Sequence, residues 1–563
     1  MSVETGDRVS RVYGSFRGVD FRGEEINLGR SPDSLNVWKD RKYTDSIRTR
    51  PGLAEKASFG SKINGVYFFN GAMIVHSGTT LCSVASNGTK RVIHRNLMDA
   101  ASNAFIYENK WYFKDGKSYL VYDGETIEDV EGHIPTTSIG RKPSGGGTIY
   151  EDVNMLSDYR INTFVSDGKA IAYYLDEEEI DKDYAPIVKV DGKVVPDTDY
   201  EVWWGQGGIQ FVEAPATPDT DGKDNVSVQF KKSVPGYREA ILKCSMLQVF
   251  DNRVFFSGNP EHPNVVWHCS LNDPSYCSDL DYYREGMDSA QIKGMVAGNN
   301  ALWVFREPSE SNTNVFYHTP AIDDEYGKIY PSSHSSITIG CVGKAINFND
   351  DIVFFSDRGM EGISGDVTTE QIAAHRSSLV DRKMISDPGY ANMILEEWEG
   401  YLLVFIGNKV FLADSRTAFS NENHYEYEWF YWELDKTVTC ARVYDGVLYV
   451  GTTDGGVYTL TDTEKHIESY WVTPKDKFSV PHKLKTTNKR GCVVEATGDL
   501  SVYAKIEDTD FELIGTYENI EDYFVSRIKR KKFKDIQLKF HSNTRFSLET
   551  ATLECFIGGY IKR

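Results

Sequence analysis

Two hairpin turns follow each other closely in residues 444–460, which read Tyr444-Asp445-Gly446-Val447-Leu448-Tyr449-Val450-Gly451-Thr452-Thr453-Asp454-Gly455-Gly456-Val457-Tyr458-Thr459-Leu460. Asp-Gly pairs tolerate positive φ and suit two-residue hairpins. The Val, Leu and Tyr residues between the turns fit a pleated, half-buried surface. The stretch therefore predicts consecutive antiparallel strands joined by tight turns.

The first of these turns recurs along the chain. Seven short strand-like segments run into an Asn, Asp or Glu turn and return as a run of bulky strand formers. The turns begin at Asn70, Glu108, Asp251, Asn299, Asp350, Glu399 and Asp445. From the third turn onward the spacing is about 46–51 residues, which is typical of β-propeller blades of roughly 40–50 residues. An array of β-sandwiches with accidental spacing is the alternative.

The repeat predicts an all-β chain built on a β-propeller of about six to seven blades. We expect the blades in residues 61–137 and 236–467, and a C-terminal β-sandwich-like domain in 468–563. Residues 1–60 form an extended N-terminal arm, predicted either to complete the final blade or to lie along a neighbouring subunit. Residues 138–235 contain a linker and a small inserted β-sandwich domain.

The insertion explains the long interval between the second and third turns. Its Gly-rich start, residues 138–148, predicts a flexible loop. An Asp-Gly hairpin at 187–195 and further strand-like runs predict the sandwich itself. The acidic run Asp176, Glu177, Glu178 and Glu179 indicates a solvated loop, with a metal site as the minor alternative. We also consider these acids, together with 138–148, as a gate that faces a channel.

Charge and composition exclude several classes of protein. The 563-residue chain has a net charge of -21, whereas a conventional nucleic-acid-binding domain has a basic face. An acidic channel wall would instead repel phosphates and let DNA slide. The sequence has no apolar run of about 18 residues, so no membrane span is expected. The N-terminus does not resemble a signal peptide, which predicts synthesis in a cytoplasm.

One basic cluster interrupts this acidic chain. It consists of Arg527, Lys529, Arg530, Lys531, Lys532 and Lys534. Such a cluster can bind an acidic partner, and here we expect an acidic neighbouring subunit. The alternative is a solvated strand edge on which the lysines prevent unwanted pairing.

The sequence contains none of the common phosphate-loop, dinucleotide, zinc-protease or serine-hydrolase motifs. The eight cysteines show no C-x-x-C spacing and are expected to pack as small apolar residues, and a metal site of His262, His268 and Cys269 is a remote alternative. We expect no cofactor and no enzyme activity. A propeller glycosidase would use paired carboxylates, for which Asp357, Asp414 and Asp454 are candidates.

The aromatic run Tyr425-Glu426-Tyr427-Glu428-Trp429-Phe430-Tyr431-Trp432 has two interpretations. Alternation along a strand places Tyr425, Tyr427, Trp429 and Tyr431 on one face. That face would suit sugar stacking in a receptor-binding or carbohydrate-binding propeller. A strand buried in the core or in a subunit interface is the favoured interpretation.

Two regions resemble a family of bacteriophage structural proteins, the tail nozzle, tail hub or packaged-DNA stabilisation proteins. The first consists of Phe16-Arg17-Gly18-Val19-Asp20, Ser34-Leu35-Asn36-Val37-Trp38 and Thr49-Arg50-Pro51-Gly52. The second is residues 254–267 with Ser270-Leu271-Asn272-Asp273-Pro274. Together they cover about a tenth of the chain. The resemblance implies a β-propeller with inserted and flanking β domains that assembles as a ring.

On this resemblance we expect a virion protein made in the host cytoplasm. It would form a homo-oligomeric ring, a hexamer or a dodecamer, with portal and adaptor proteins above and tail spike, fibre or needle proteins below. The ring would retain packaged double-stranded DNA and conduct it during ejection without reading its sequence. A receptor-binding or carbohydrate-binding tail propeller, a propeller glycosidase and a cellular propeller scaffold are the alternatives.

Overall fold

The computed structural model describes residues 7–42, 45–311, 313–323, 327–365, 370–421, 424–463, 466–529 and 532–561. The chain forms two compact units. Unit one comprises Met1–Arg95, Asn312–Val315 and Ser335–Arg563, and unit two comprises Asn96–Ser311 and Phe316–His334. Strands dominate both units, and the α-helices among the described residues are the short segments Tyr237–Leu242 and Asp381–Met384.

Seven four-stranded antiparallel sheets form the blades of a β-propeller, which confirms the predicted fold class. Unit one contains blade 1 (Ile63–Phe69, Ala72–Ser77, Thr80–Val84, Lys90–His94), blade 5 (Ala345–Phe348, Asp351–Ser356, Gly359–Ser364, Ile372–His375), blade 6 (Ile394–Trp398, Tyr401–Ile406, Lys409–Asn421, His424–Glu433) and blade 7 (Val438–Tyr444, Val447–Thr452, Gly456–Thr461, Gly52–Ser58).

Unit two contains the remaining blades apart from Val315, which falls in unit one. They are blade 2 (Asn103–Tyr107, Lys110–Lys114, Tyr119–Tyr122, Ile127–Asp129), blade 3 (Met246–Phe250, Arg253–Ser257, Val265–His268, Tyr282–Arg284) and blade 4 (Ile292–Gly298, Ala301–Arg306, Val315–His318, Ser332–His334). A small hairpin, Ala321–Asp323 with Gly327–Ile329, follows the third strand of blade 4.

All seven predicted turns join the first and second strands of a blade. In blade 7, Asp445 has φ 50° and Gly446 has φ 74°. The corresponding pair in every other blade also has two positive φ values, which is the pattern of a type I′ turn. The right-handed twist of the strands favours this turn, and Asn, Asp and Gly adopt it at the lowest cost. The repeat was therefore visible in the sequence through its turn chemistry.

Blade 7 is completed by the N-terminal strand Gly52–Ser58, which pairs antiparallel with Gly456–Thr461. Of the two positions predicted for the arm, this is the first. The buried side chains of Ala57 and Val457 join the core that Ile63 and Val75 of blade 1 extend. Close packing continues at Gly451, where a Cβ would come within 2.5 Å of the Ile63 side chain.

The rest of the N-terminal arm joins the C-terminal domain. That domain is an eleven-stranded sheet folded around two long, bent strands, Lys483–Ile506 and Phe546–Tyr560. Its other strands are Ser34–Leu35, Ser469–Val472, Ile536–Ser542, Ile47–Thr49, Val37–Trp38, Arg8–Tyr13, Glu512–Ile520, Tyr523–Ser526 and Lys532–Phe533. A separate two-stranded ladder pairs Gly18–Val19 with Arg30–Ser31.

A buried ion cluster fixes the arm against blade 6. The Glu428 carboxylate is fully buried and accepts two hydrogen bonds from Arg30, at 2.8 and 2.9 Å. Arg17 approaches the same carboxylate to 2.7 Å. Removing one member of a buried pair typically costs about 3–5 kcal/mol, so the arm is an integral part of unit one.

The inserted domain in unit two is a β-sandwich, as predicted. One layer has the order Thr148–Ile149, Thr136–Arg141, Tyr159–Phe164, Val226–Lys231, Ile187–Val190, Lys193–Val194, and the other consists of Ala172–Tyr174, Gly208–Phe211 and Tyr200–Trp203. A 3₁₀ turn at Asp197–Asp199 precedes the last of these strands. Phe164, Val228, Tyr173 and Ile209 fill the space between the layers.

The prediction of a flexible linker at 138–148 is wrong. This segment is a β-hairpin in the larger layer of the sandwich. The buried Arg141 fastens it, because its guanidinium donates to Ser138 Oγ at 3.0 Å and to the Leu175 carbonyl at 2.9 Å. The glycines serve the turn, where Gly145, Gly146 and Gly147 all have positive φ.

A charge placed in the closing strand tests its role. We expect Ala57→Asp to lower the free energy of unfolding by about 3–5 kcal/mol, because it buries an unpaired carboxylate between blades 7 and 1. The control is Ser58→Asp on the exposed side of the same strand, expected to change stability by about 0.5 kcal/mol or less. Chemical denaturation of both variants measures the difference, and equal losses would contradict a buried closing strand.

Candidate interaction surfaces

The basic cluster lies on the outside of the C-terminal domain. Ile528 and Phe533 point into the domain core, and the cations on either side of them are therefore directed outward. The exposed cations are Arg527, Lys529, Lys532 and Lys534, which we call the basic face. Arg530 and Lys531 lie outside the described residues. No ion pair of the basic face occurs within the described part of the chain. The pKa of Asp508 is lowered chiefly by its hydrogen bond from Lys475 and, to a smaller extent, by Lys534.

An apolar row borders the basic face. Three register pairs align Val12, Thr552, Val493 and Val525 across four adjacent strands. Val12 is 58% exposed and Val525 39%. Tyr523, on the strand that leads to Arg527, is 66% exposed. Strand alternation places Tyr523, Val525 and Arg527 on the same side. The outer sheet of this domain therefore combines exposed apolar side chains with exposed cations.

This combination is typical of a protein-binding surface. Apolar side chains supply the energy of association when water is removed from them. Exposed cations steer an oppositely charged partner and fix its orientation. A solvated strand edge would explain the lysines alone but not the exposed Tyr523 and Val525. Tyr523 and Val525 are therefore available, together with the exposed cations, for contact with another molecule.

The predicted acidic loop lies within the inserted domain. Its first two carboxylates contact other residues of the domain, and hydrogen bonds from Lys232 hold the backbone carbonyls of the last two residues. Asp176 accepts a hydrogen bond from Thr137 Oγ1 at 2.5 Å, and Glu177 pairs with Arg160. The Glu178 and Glu179 carbonyls accept hydrogen bonds from Lys232 Nζ at 2.9 and 3.1 Å. Two of the four carboxylates thus have structural partners, and those of Glu178 and Glu179 are exposed.

The aromatic run lies in the last strand of blade 6, His424–Glu433, and is buried on both sides from Glu426 to Trp432. Tyr427, Trp429 and Tyr431 lie in the core between blades 5 and 6. Phe430 and Trp432 lie in the core shared with the C-terminal domain. This confirms the core interpretation for residues 427–432, whereas Tyr425 is 38% exposed and its ring lies against the Arg376 guanidinium.

The three carboxylates considered for glycoside hydrolysis have separate surroundings. Asp414 is fully buried and pairs with Arg416 at 2.8 Å. Asp454 pairs with Lys436, and hydrogen bonds from Lys436 and Thr452 lower its pKa to about 2. Asp357 is exposed in the turn after the second strand of blade 5. A general acid needs a raised pKa, so Asp454 does not fit that role.

Blade 5 contains a charged cluster that the sequence did not indicate. His375 lies between two carboxylates, with Nδ1 3.1 Å from Glu361 and Nε2 2.6 Å from Asp381. Ser377 Oγ donates to the other oxygen of Asp381 at 2.6 Å. These residue types occur in hydrolase triads, but there the hydroxyl donates to the imidazole. Here it donates to the carboxylate, so the cluster does not activate a nucleophile.

The cluster makes the stability of unit one depend on pH. Burial alone would lower the pKa of His375, but the hydrogen bonds to Asp381 and Glu361 outweigh burial and raise that pKa to about 10. A raised pKa contributes stability that is fully present below the ordinary value of about 6.5 and is lost as pH rises through about 10.

We therefore expect the unfolding free energy of the wild type to fall between pH 7 and 10.5. In His375→Gln, which cannot bind the extra proton, the fall should be smaller, so that the difference between the two proteins shrinks as pH rises. Denaturant midpoints across this range measure it, with His334→Gln, an exposed histidine, as the control. Parallel pH profiles for the wild type and His375→Gln would exclude a protonated His375.

Comparison with known proteins finds only weak structural similarity. No family model matches the chain. No curated protein matches it. Among solved structures, BamB from Moraxella catarrhalis has a TM-score of 0.32 at 11% identity, covering 74% of this chain and 99% of its own. A gluconolactonase from Xanthomonas campestris has a TM-score of 0.27 at 8% identity, covering 78% and 99%. The designed protein Ika8 has a TM-score of 0.32 at 10% identity, covering 73% and 99%. Similarity this low says nothing about function.

Two further observations concern the described residues only. None of their helices is both long and apolar enough to cross a membrane. They contain no group of three or more His, Cys, Asp or Glu side chains arranged to hold a metal ion.

Proposed function

We propose that this protein is a structural component of a bacteriophage virion, a tail nozzle or hub that assembles as a ring around the DNA exit channel. It acts by shape and charge rather than by catalysis. The proposed ring contains six or twelve copies, with portal and adaptor proteins above it and spike, fibre or needle proteins below it. It retains the packaged double-stranded DNA and later conducts it.

The observation that carries this proposal is the basic face with its apolar row. A net charge of -21 makes every copy of the chain an acidic partner for the basic face of the next. Contact between different patches on identical chains is heterologous, and such contacts generate rings when the rotation closes. The propeller supports the assembly, because within each unit the blades pack on shared apolar cores that can transmit mechanical load.

The proposed passage of DNA follows from the same net negative charge. Specific and non-specific DNA binding both depend on phosphate contacts with Lys and Arg. A channel wall rich in carboxylates repels phosphates and allows the duplex to slide. In this proposal the exposed Glu178 and Glu179 face the DNA path, and no base is read.

Charge reversal of the basic face tests the ring. Purified protein, alone and with portal and adaptor proteins, should give rings in negative-stain microscopy and a matching mass by light scattering. The triple variant Arg527→Glu, Lys529→Glu, Lys532→Glu should raise the concentration needed for assembly by about tenfold or more. The control triple Lys56→Glu, Lys189→Glu, Lys193→Glu should assemble normally. A wild-type chain that stays monomeric under all these conditions would overturn the proposal.

The proposed gate is tested by reversing charge in the inserted domain. Particles with Glu178→Lys and Glu179→Lys should release their DNA several-fold more slowly, because the new cations bind phosphates. Glu201→Lys with Glu213→Lys, exposed on the same domain, is the control. The readout is the rate of dye-reported DNA release from purified particles. If both pairs of substitutions behave like the wild type, the acidic loop does not face the DNA.

A further inference from the structure

Two buried cysteines in blade 3 lie unusually close together. The Sγ atoms of Cys269 and Cys277 are 2.8 Å apart, which is only about 0.8 Å longer than a disulfide bond. Both side chains are fully buried. They belong to the apolar core shared by blades 2 and 3, which also contains Tyr119 and Trp267.

The backbone brings these cysteines together from both sides. Ser270 N–H donates to the Tyr276 carbonyl at 2.7 Å and closes the mouth of the intervening loop. Cys269 N–H donates to the Val254 carbonyl at 2.9 Å. Cys277 N–H donates to Asn154 Oδ1 at 3.0 Å. Each cysteine is therefore held by a different segment of the unit, and only a small adjustment separates the two sulfur atoms from bonding distance.

We propose that Cys269 and Cys277 are a redox modification site, at which an intrachain disulfide forms in the presence of a small-molecule disulfide such as oxidised glutathione. The bond would close the loop of residues 270–276 covalently. The site does not depend on the function proposed above and lies in a different unit from the basic face.

The chemistry proceeds by two thiol–disulfide exchanges. The thiolate of one cysteine attacks a sulfur of oxidised glutathione, forms a mixed disulfide and releases one glutathione thiolate. The second cysteine, as a thiolate, then attacks the protein sulfur of the mixed disulfide and releases the second glutathione. Two protein thiols are oxidised, one glutathione disulfide is reduced, and the two cysteine protons end on the two glutathione thiols.

Burial controls the rate of this reaction. Burial, with the neighbouring Cys277, raises the pKa of the Cys269 thiol well above its ordinary value, so little thiolate is present in the closed loop. Glutathione also needs access to a sulfur that the core covers. The folded protein is therefore expected to oxidise slowly, through local opening of the loop, and faster in mild denaturant.

Peptide mapping tests the pair without any substitution. Both cysteines lie in the single tryptic peptide 254–284, which contains no other cysteine. The full chain is equilibrated with oxidised glutathione, with and without mild denaturant, then unfolded, alkylated and digested. We expect this peptide to carry no alkyl group and to be lighter by two hydrogens, and to carry two alkyl groups after prior reduction. A doubly alkylated peptide under all oxidising conditions, or a disulfide from either residue to Cys244, would overturn the proposal.

Thermal unfolding separates the disulfide from other effects of oxidation. The oxidised wild type should melt about 2–5 °C higher than the reduced protein. Cys269→Ser and Cys277→Ser should each lose this oxidation-dependent gain. Cys244→Ser is the matched control, since Cys244 is fully buried in the same core, and it should retain the gain. An equal gain in all three variants would show that another site is responsible.

Discussion

The hydrogen-bonded pairing of Gly52–Ser58 with Gly456–Thr461 is the constraint on which unit one depends. An open blade would present a row of unpaired backbone groups and invite pairing with other chains. The N-terminal strand satisfies those groups from within the same chain. It also fixes the direction of the arm that precedes it, and that arm supplies strands to the C-terminal domain and the Arg17 and Arg30 partners of Glu428. The same N-terminal arm therefore closes blade 7 and attaches the C-terminal domain.

The sequence revealed the propeller because its turns are local. A type I′ turn requires two positive φ values, and Asn, Asp or Gly at a regular interval marks where these occur. The N-terminal contribution to blade 7 could be given only as one of two possibilities, since a strand pattern does not show its partner. The prediction of a flexible loop at residues 138–148 was wrong for a related reason. Its glycines serve a turn, but the buried contacts of Arg141 that order the hairpin involve Leu175, about 34 residues away, and composition does not reveal them.

Only the charged part of the candidate surface could be predicted from the sequence. A run of cations is apparent in one dimension, so the basic face could be named. The apolar row beside it combines Val12, Val493, Val525 and Thr552 from four strands, and only the register of the sheet aligns them. The His375 cluster has the same origin, because Glu361 is its cross-strand neighbour. Cys269 and Cys277 were expected to pack as apolar residues. Their spacing in the sequence does not show that the hydrogen bond between Ser270 and Tyr276 closes the loop and brings the two sulfur atoms together.

The closing strand also determines when the protein can finish folding. The partner of Gly52–Ser58 is made about 400 residues after it, which takes roughly 20–80 s at typical rates of synthesis. During that time the segment has no native partner, and the apolar side of Ala57 and its neighbours is open to solvent or to chaperones. Contacts this distant in sequence slow folding. The nascent chain therefore passes through a long stage in which the strand that closes blade 7 must stay unpaired, and aggregation during synthesis is the hazard that this topology creates.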